Sequence, residues 1–131
     1  MTINQKCQQL PILRTQSVEW GGLERNYTNK LIFPYPKYGD DVREWITKMN
    51  ELQLMDYDYS ENYRVMDLKA KQEGTTVQEK DVTTFTRDEI LTLMTYFIRC
   101  ERFCDGLIAD NLKNGRLEAM CMHLHNITAD L

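Results

Sequence analysis

The run Phe85-Thr86-Arg87-Asp88-Glu89-Ile90 constrains this chain more than any other stretch. Thr86 followed three residues later by Glu89 is a capping box, in which each side chain bonds the other residue's backbone N–H. Phe85 before the cap and Ile90 at the fourth helical position form a hydrophobic staple. These local devices agree, and together they start a helix at Arg87. Ile90, Met94 and Phe97 then recur on one face, and the stripe continues to Cys104 and Ile108. The spacing predicts a helix from Arg87 to at least Arg102.

Charge interrupts that stripe in Arg99-Cys100-Glu101-Arg102-Phe103-Cys104-Asp105-Gly106. At about 100° per residue, Glu101 falls about 20° from Ile90 and Asp105 about 60°, whereas Arg102 and Arg99 lie about 120° and 180° away. An unpaired buried carboxylate is prohibitive, so Glu101 must be paired, protonated or open to a cleft. Arg64, Arg87, Arg99, Arg102 and Arg116 are the candidate cations. Three readings stay open. Glu101 forms an internal pair that sets how the last helices cross, or the helix breaks at Phe103 and leaves Glu101 near solvent, or Glu101, Arg102 and Asp105 line a ligand pocket.

The other elements follow from the same periodicities. Thr2 to Leu10 reads as a short helix disturbed by Pro11. Residues 17–38 contain Trp20-Gly21-Gly22 and Phe33-Pro34-Tyr35-Pro36, and read as an ordered aromatic loop with a small hairpin between 18–20 and 30–33. Asp40 or Asp41 can cap the next helix, whose stripe is Val42, Trp45, Ile46, Met49 and Leu52. Asp56-Tyr57-Asp58-Tyr59 breaks it, and Ser60 is the expected cap of a helix through Lys71, with Tyr63, Val65, Met66 and Leu68 as its apolar residues. Residues 72–85 are polar and Thr-rich, and read as a loop. Leu107 to Lys113 is helical in pattern and stops at Asn114-Gly115, and Arg116 to His125 forms the last helix. The expected fold is mainly α: a single small domain over residues 1–131, with four to six helices and the aromatic segment near 17–38 wrapped over them.

Composition narrows the function classes. A chain of 131 residues can bury one core without disulfides or metal. No apolar run approaches the roughly 20 residues that span a bilayer. The first residues show no signal-peptide pattern, so a cytoplasmic protein with four reduced cysteines is expected, and no membrane association. The net charge of −4 gives no basic footprint for nucleic acid. Residues 39–67 carry eight acids against three bases, which suits a basic partner or a solvated face.

Cys100 and Cys104, and Cys121 and His125, are each four apart, which makes a Cys3His zinc site conceivable across two helices. Such pairs arise often by chance and the short CxxC knuckles are lacking, so no metal ligand is assigned. Cys104 on the apolar stripe also reads as a small core hydrophobe. A nucleophilic cysteine needs a base and an orienting group. His123 and His125 are the only histidines, and no third group accompanies them. No phosphate loop and no metalloprotease motif is present. No catalytic residue and no cofactor is assigned.

Phe33-Pro34-Tyr35-Pro36-Lys37-Tyr38, Asp56 to Tyr63, and Arg99 to Gly106 with the following Asn114-Gly115 resemble a family of small bacterial proteins classed as a domain of unknown function. The resemblance covers residues 20–127, and Glu-Arg-Phe-Cys-Asp-Gly is its most specific part. It implies a grouping rather than a chemistry, with weight on Arg102, Phe103, Cys104 and Gly106. Where that pattern has glycine this chain has Cys100, which counts against the zinc reading.

The binding candidates are therefore Glu101, Arg102, Cys104 and Asp105, and separately Asp56, Tyr57, Asp58 and Tyr59. The expected function is a binding or regulatory protein that acts by contact with a protein partner or a second copy. An inhibitor of a host system carried by a phage or mobile element would be such a protein. The alternative is a small-molecule or enzymatic pocket centred on Glu101, Arg102 and Asp105.

Overall fold

The computed structural model describes residues 1–20, 24–25, 31–32, 36–101 and 106–129, with strand positions between 20 and 36 as backbone only. It is mainly helical. Helices α1 (Ile3–Gln8), α2 (Asp40–Glu51), α3 (Tyr59–Gln72), α4 (Arg87–Cys100), α5 (Leu107–Lys113) and α6 (Arg116–Thr128) surround one buried apolar cluster. Strands β1 (Val18–Trp20), β2 (Glu24–Arg25), β3 (Leu31–Ile32) and β4 (Pro36–Tyr38) lie between α1 and α2. Among the described residues no helix is long and apolar enough to cross a membrane.

Helix α4 is the central element. The Thr86–Glu89 capping box forms as expected, and Phe85 and Ile90 are both buried. Every residue from Ile90 to Thr95 is buried, so α4 is covered on several sides and not along one stripe. It ends at Cys100, short of the expected Arg102, with Glu101 as its C-cap. On one side it packs against α3, where the rings of Tyr63 and Tyr96 stack 4.2 Å apart. The N-terminal helix packs on α6: Gln8 Nε2 donates to the His125 carbonyl at 2.8 Å and to Thr128 Oγ1 at 2.7 Å. Helix α6 reaches Thr128, one turn past the expected His125.

The strands form two antiparallel pairs that differ from the expected hairpin. Residues 18–20 pair with 36–38, not with 30–33, and 24–25 pair with 31–32. Both pairings keep one register, with Val18 opposite Tyr38 and Glu24 opposite Ile32. Pro36 does not stop the outer pair, because each strand of a two-stranded ribbon has an edge where a missing N–H costs nothing. The ladder is closed by Gly39 N–H donating to the Ser17 carbonyl at 2.8 Å. The Ser17 hydroxyl also donates to the Asp41 carboxylate. This puts Gly39, rather than Asp40 or Asp41, at the N-cap of α2, and leaves both aspartates in the first turn.

Helix α3 begins at Tyr59 with Asp58, not Ser60, at its N-cap. Its buried residues are Met66 and Ala70, while Val65 and Leu68 face solvent. α4 covers only a narrow stripe of α3, so apolar residues beside that stripe stay outside.

The end of α2 carries a backbone constraint. Leu54 N–H donates to the Met49 carbonyl and Gln53 N–H to that of Asn50, the bonds of a Schellman C-cap. The closing residue, Gln53, has a φ of 56°, a left-handed conformation that suits glycine. The equivalent place after α3 is filled by Gly74 at a φ of 80°. Gln53→Gly is expected to stabilise the fold by about 0.5–1 kcal/mol, with the relieved strain partly offset by the freer unfolded chain. The readout is a higher urea midpoint at unchanged slope. A lower midpoint would contradict the strain account.

Candidate functional site

Gly106, the N-cap of α5, has a φ of 96° and no side chain to cap with. The first N–H groups of a helix lack intrahelical acceptors and usually bond a Ser, Thr, Asp or Asn at the cap. Here Glu101 takes that role from outside the helix. Its Oε1 accepts from Gly106 N–H at 2.9 Å and its Oε2 from Ile108 N–H at 2.8 Å. The Tyr38 hydroxyl, at the end of β4, donates to Glu101 Oε1 at 2.5 Å and accepts from Ala109 N–H at 3.2 Å. A carboxylate and a phenol thus join the end of α4, the start of α5 and the base of the strand pair. The negative charge at the helix N-terminus adds to the stabilisation.

Among the described residues these donors, rather than one of the candidate arginines, satisfy Glu101. Among the described residues no arginine or lysine pairs with it: Arg64 bonds Glu61, Arg87 bonds Asp88 and Asn4, and Arg116 bonds the Val77 carbonyl. Backbone amides serve because an N–H donor to a carboxylate is itself a charge-assisted hydrogen bond. Arg102, Cys104 and Asp105 lie outside the described residues.

Next to this node opens a cleft of about 320 Å³. Ile46, Met55, Ile98 and Ile108 form its apolar wall. Tyr38, Asn50, Arg99 and Glu101 bring polar groups to it. Among the described residues Arg99 makes no ion pair.

The acidic Asp56–Tyr59 stretch divides into an inward and an outward part. Asp56 Oδ2 accepts from Thr92 Oγ1 at 2.6 Å and Asn62 Nδ2 at 2.8 Å, and its Oδ1 from Asp58 N–H at 2.9 Å. Its own N–H donates to Thr95 Oγ1. Two buried threonines of α4 therefore hold the turn that leads into α3. Desolvation acts to raise the Asp56 carboxyl, but the hydrogen bonds from Thr92, Asn62 and Asp58 outweigh it and hold the group below its ordinary value. Tyr57, 84% exposed, and Asp58 face solvent, and Tyr59 is half-buried.

The family model described as "Family of unknown function (DUF6508)" matches residues 8–130. The chain belongs to that family. The match takes in both the Glu101 node and the Asp56 turn of this DUF6508 protein. No curated protein and no solved structure matches the chain.

Cys7, Cys121, His123 and His125 of the DUF6508 chain are placed for packing and for ties between segments. Burial pushes the Cys7 and Cys121 thiols up to about 11, which keeps both protonated near neutral pH. His125 Nε2 lies 2.7 Å from the Leu10 carbonyl and His123 Nε2 3.0 Å from that of Phe85, so each ring ties α6 to another segment. Among the described residues no group of three or more His, Cys, Asp or Glu side chains could hold a metal ion. Two features escaped the sequence reading. Tyr38 joins Glu101 from 63 positions away, and the Arg116 cavity described below has no local motif.

Proposed function

We propose that this protein binds a small molecule in the cleft beside Glu101. One observation carries this reading: a cleft of about 320 Å³ with an apolar wall and converging polar groups, at the junction of α2, α4, α5 and β4. Ligand pockets of roughly 300–1,000 Å³ have this make-up of apolar lining and few polar anchors. Arg99 supplies a positive charge without a described partner, and Glu101 Oε2 accepts one hydrogen bond and has a lone pair left. Opposite charges on an apolar wall suit a small zwitterion with an aliphatic body. Both Glu101 oxygens already hold the fold together, which favours binding over proton transfer as their use.

The test is an NMR titration of the full chain with leucine, and with hexanoate and hexylamine, which each carry one of its two charged groups. Leucine is expected to shift the amides of Asn50, Ile98, Arg99 and Ile108 saturably and more tightly than either half. Ile46→Trp, which fills the cleft, is expected to remove the effect. Shifts that map elsewhere, or that survive Ile46→Trp, would overturn the reading.

A second reading, contact with a protein partner or a second copy, is favoured by the exposed Tyr57 beside Asp58. An exposed tyrosine supplies contact area with a polar tip.

A further inference from the structure

A separate cavity of about 80 Å³ lies where α3, α4, α5 and the first turn of α6 meet. Its apolar side is formed by Phe97 and the stacked Tyr63 and Tyr96 rings. Gln78, Asn111 and Arg116 form its polar side. The hydrogen-bonding capacity of this side is lopsided. Arg116 carries five N–H donors and no acceptor, and its one described acceptor is the Val77 carbonyl at 2.5 Å. Among the described residues no carboxylate lies within 4.0 Å of the guanidinium. Asn111 Nδ2 uses one hydrogen on the Leu107 carbonyl, and Gln78 Nε2 uses one on the Tyr63 hydroxyl. Each amide nitrogen has a second hydrogen to donate.

Arg116 is half-buried, with its guanidinium carbon 6.0 Å from the Phe85 ring centre. Burial pushes the group below its ordinary value, as expected for a cation partly removed from water without an anion beside it. Tyr63 and Asp81 act the other way without reversing it, and the Asp81 carboxylate itself bonds the Thr83 N–H and hydroxyl. Surplus donors beside a half-buried cation, in a partly open cavity with no carboxylate in contact among the described residues, suit an anion. The volume limits the anion. A water needs on the order of 10–15 Å³ of such space, so the cavity admits only a few non-hydrogen atoms.

We infer that this cavity binds a small monocarboxylate of two or three carbons, its oxygens on Arg116 and Asn111 and its methyl end against Tyr96 and Phe97. The site is distinct from the cleft at Glu101, which takes a longer aliphatic body.

The experiment titrates the full chain with acetate and propionate at constant ionic strength, followed by NMR of the Asn111, Gln78 and Arg116 side-chain N–H groups. Acetamide serves as the uncharged match for acetate. Saturable shifts with a Kd on the order of 1 mM are expected for both carboxylates, as suits ligands of so few atoms, and none for acetamide. Asn111→Asp places a negative charge at the site without removing the Arg116–Val77 bond, and is expected to weaken acetate by about tenfold or more. Arg116→Gln is expected to abolish binding. Absence of saturable shifts, equal binding of acetamide, or unchanged acetate binding by Asn111→Asp would each overturn the assignment.

Discussion

Glu101→Ala is expected to destabilise the fold by about 3 kcal/mol, more than the loss of an ordinary helix cap. A cap alone is worth about 1 kcal/mol, but Glu101 accepts three hydrogen bonds, from Gly106, Ile108 and Tyr38. Hydrogen bonds to a charged group contribute about 1.5–3 kcal/mol each, and donors left inside without acceptors add a desolvation cost. The terms are not additive, because Gly106 and Ile108 can recover water once the side chain is gone. Glu101→Gln keeps one acceptor oxygen but sets an amide N–H₂ against a backbone donor, so about half the loss is expected. Tyr38→Phe removes one donor and the acceptor for Ala109, at a cost of about 1–2 kcal/mol. The two residues touch, so a double-mutant cycle should return a coupling of about 1 kcal/mol or more. Urea midpoints measure all three, and amide exchange at Ile108 and Ala109 should quicken first. A Glu101→Ala variant within about 0.5 kcal/mol of the parent would refute the capping role.

This geometry shows which parts of the fold were legible in the sequence. The start of α4 was, because Thr86, Glu89, Phe85 and Ile90 act within one turn and need no distant partner. The stop at Asn114-Gly115 was, because Gly115 adopts a φ of 79° that few other residues accept. Glu101 was legible as a carboxylate that the fold must satisfy. Its partners were not, because a run of backbone N–H groups without intrahelical acceptors has no side-chain signature. The absence of a Ser, Thr, Asp or Asn at Gly106 was the available clue. It marks a helix whose first amides must be capped from elsewhere. Tyr38 was out of reach, since no local spacing links β4 to α5. The strand register failed for a related reason: Ser17, Gly39 and Asp41 fix it through long-range bonds. The exposure of Val65 and Leu68 reflects how narrow a stripe of α3 its neighbour covers, which periodicity does not report.

Asp56→Ala is expected to cost about 2 kcal/mol, whereas changes at the neighbouring Tyr57 and Asp58 are expected to stay within about 0.5 kcal/mol. The difference follows from direction rather than from charge. Asp56 faces inward and accepts from Thr92, Asn62 and the Asp58 backbone, and its removal leaves the buried Thr92 hydroxyl without an acceptor. The Asp58 side chain makes no cap bond and faces solvent. Acid separates the two further. Although desolvation opposes it, the net effect of the hydrogen bonds is a folded Asp56 below its ordinary value of 3.8. Such a group contributes stability fully above the unfolded value and loses it as pH falls through the folded one. The gap between parent and Asp56→Asn should therefore be constant at neutral pH and shrink below about pH 4. A gap that widens on acidification would reverse the sign and refute the hydrogen-bond account. The same contrast decides how the contact reading is tested. Reversing the charge at Asp56 would disturb the turn itself, so lost binding there would report unfolding. Tyr57→Ser with Asp58→Lys leaves the fold intact and alters only the exposed surface. If two copies associate through it, sedimentation should show the dimer weakened by that pair at unchanged thermal stability. An unaltered association constant would remove the Tyr57 surface as the contact.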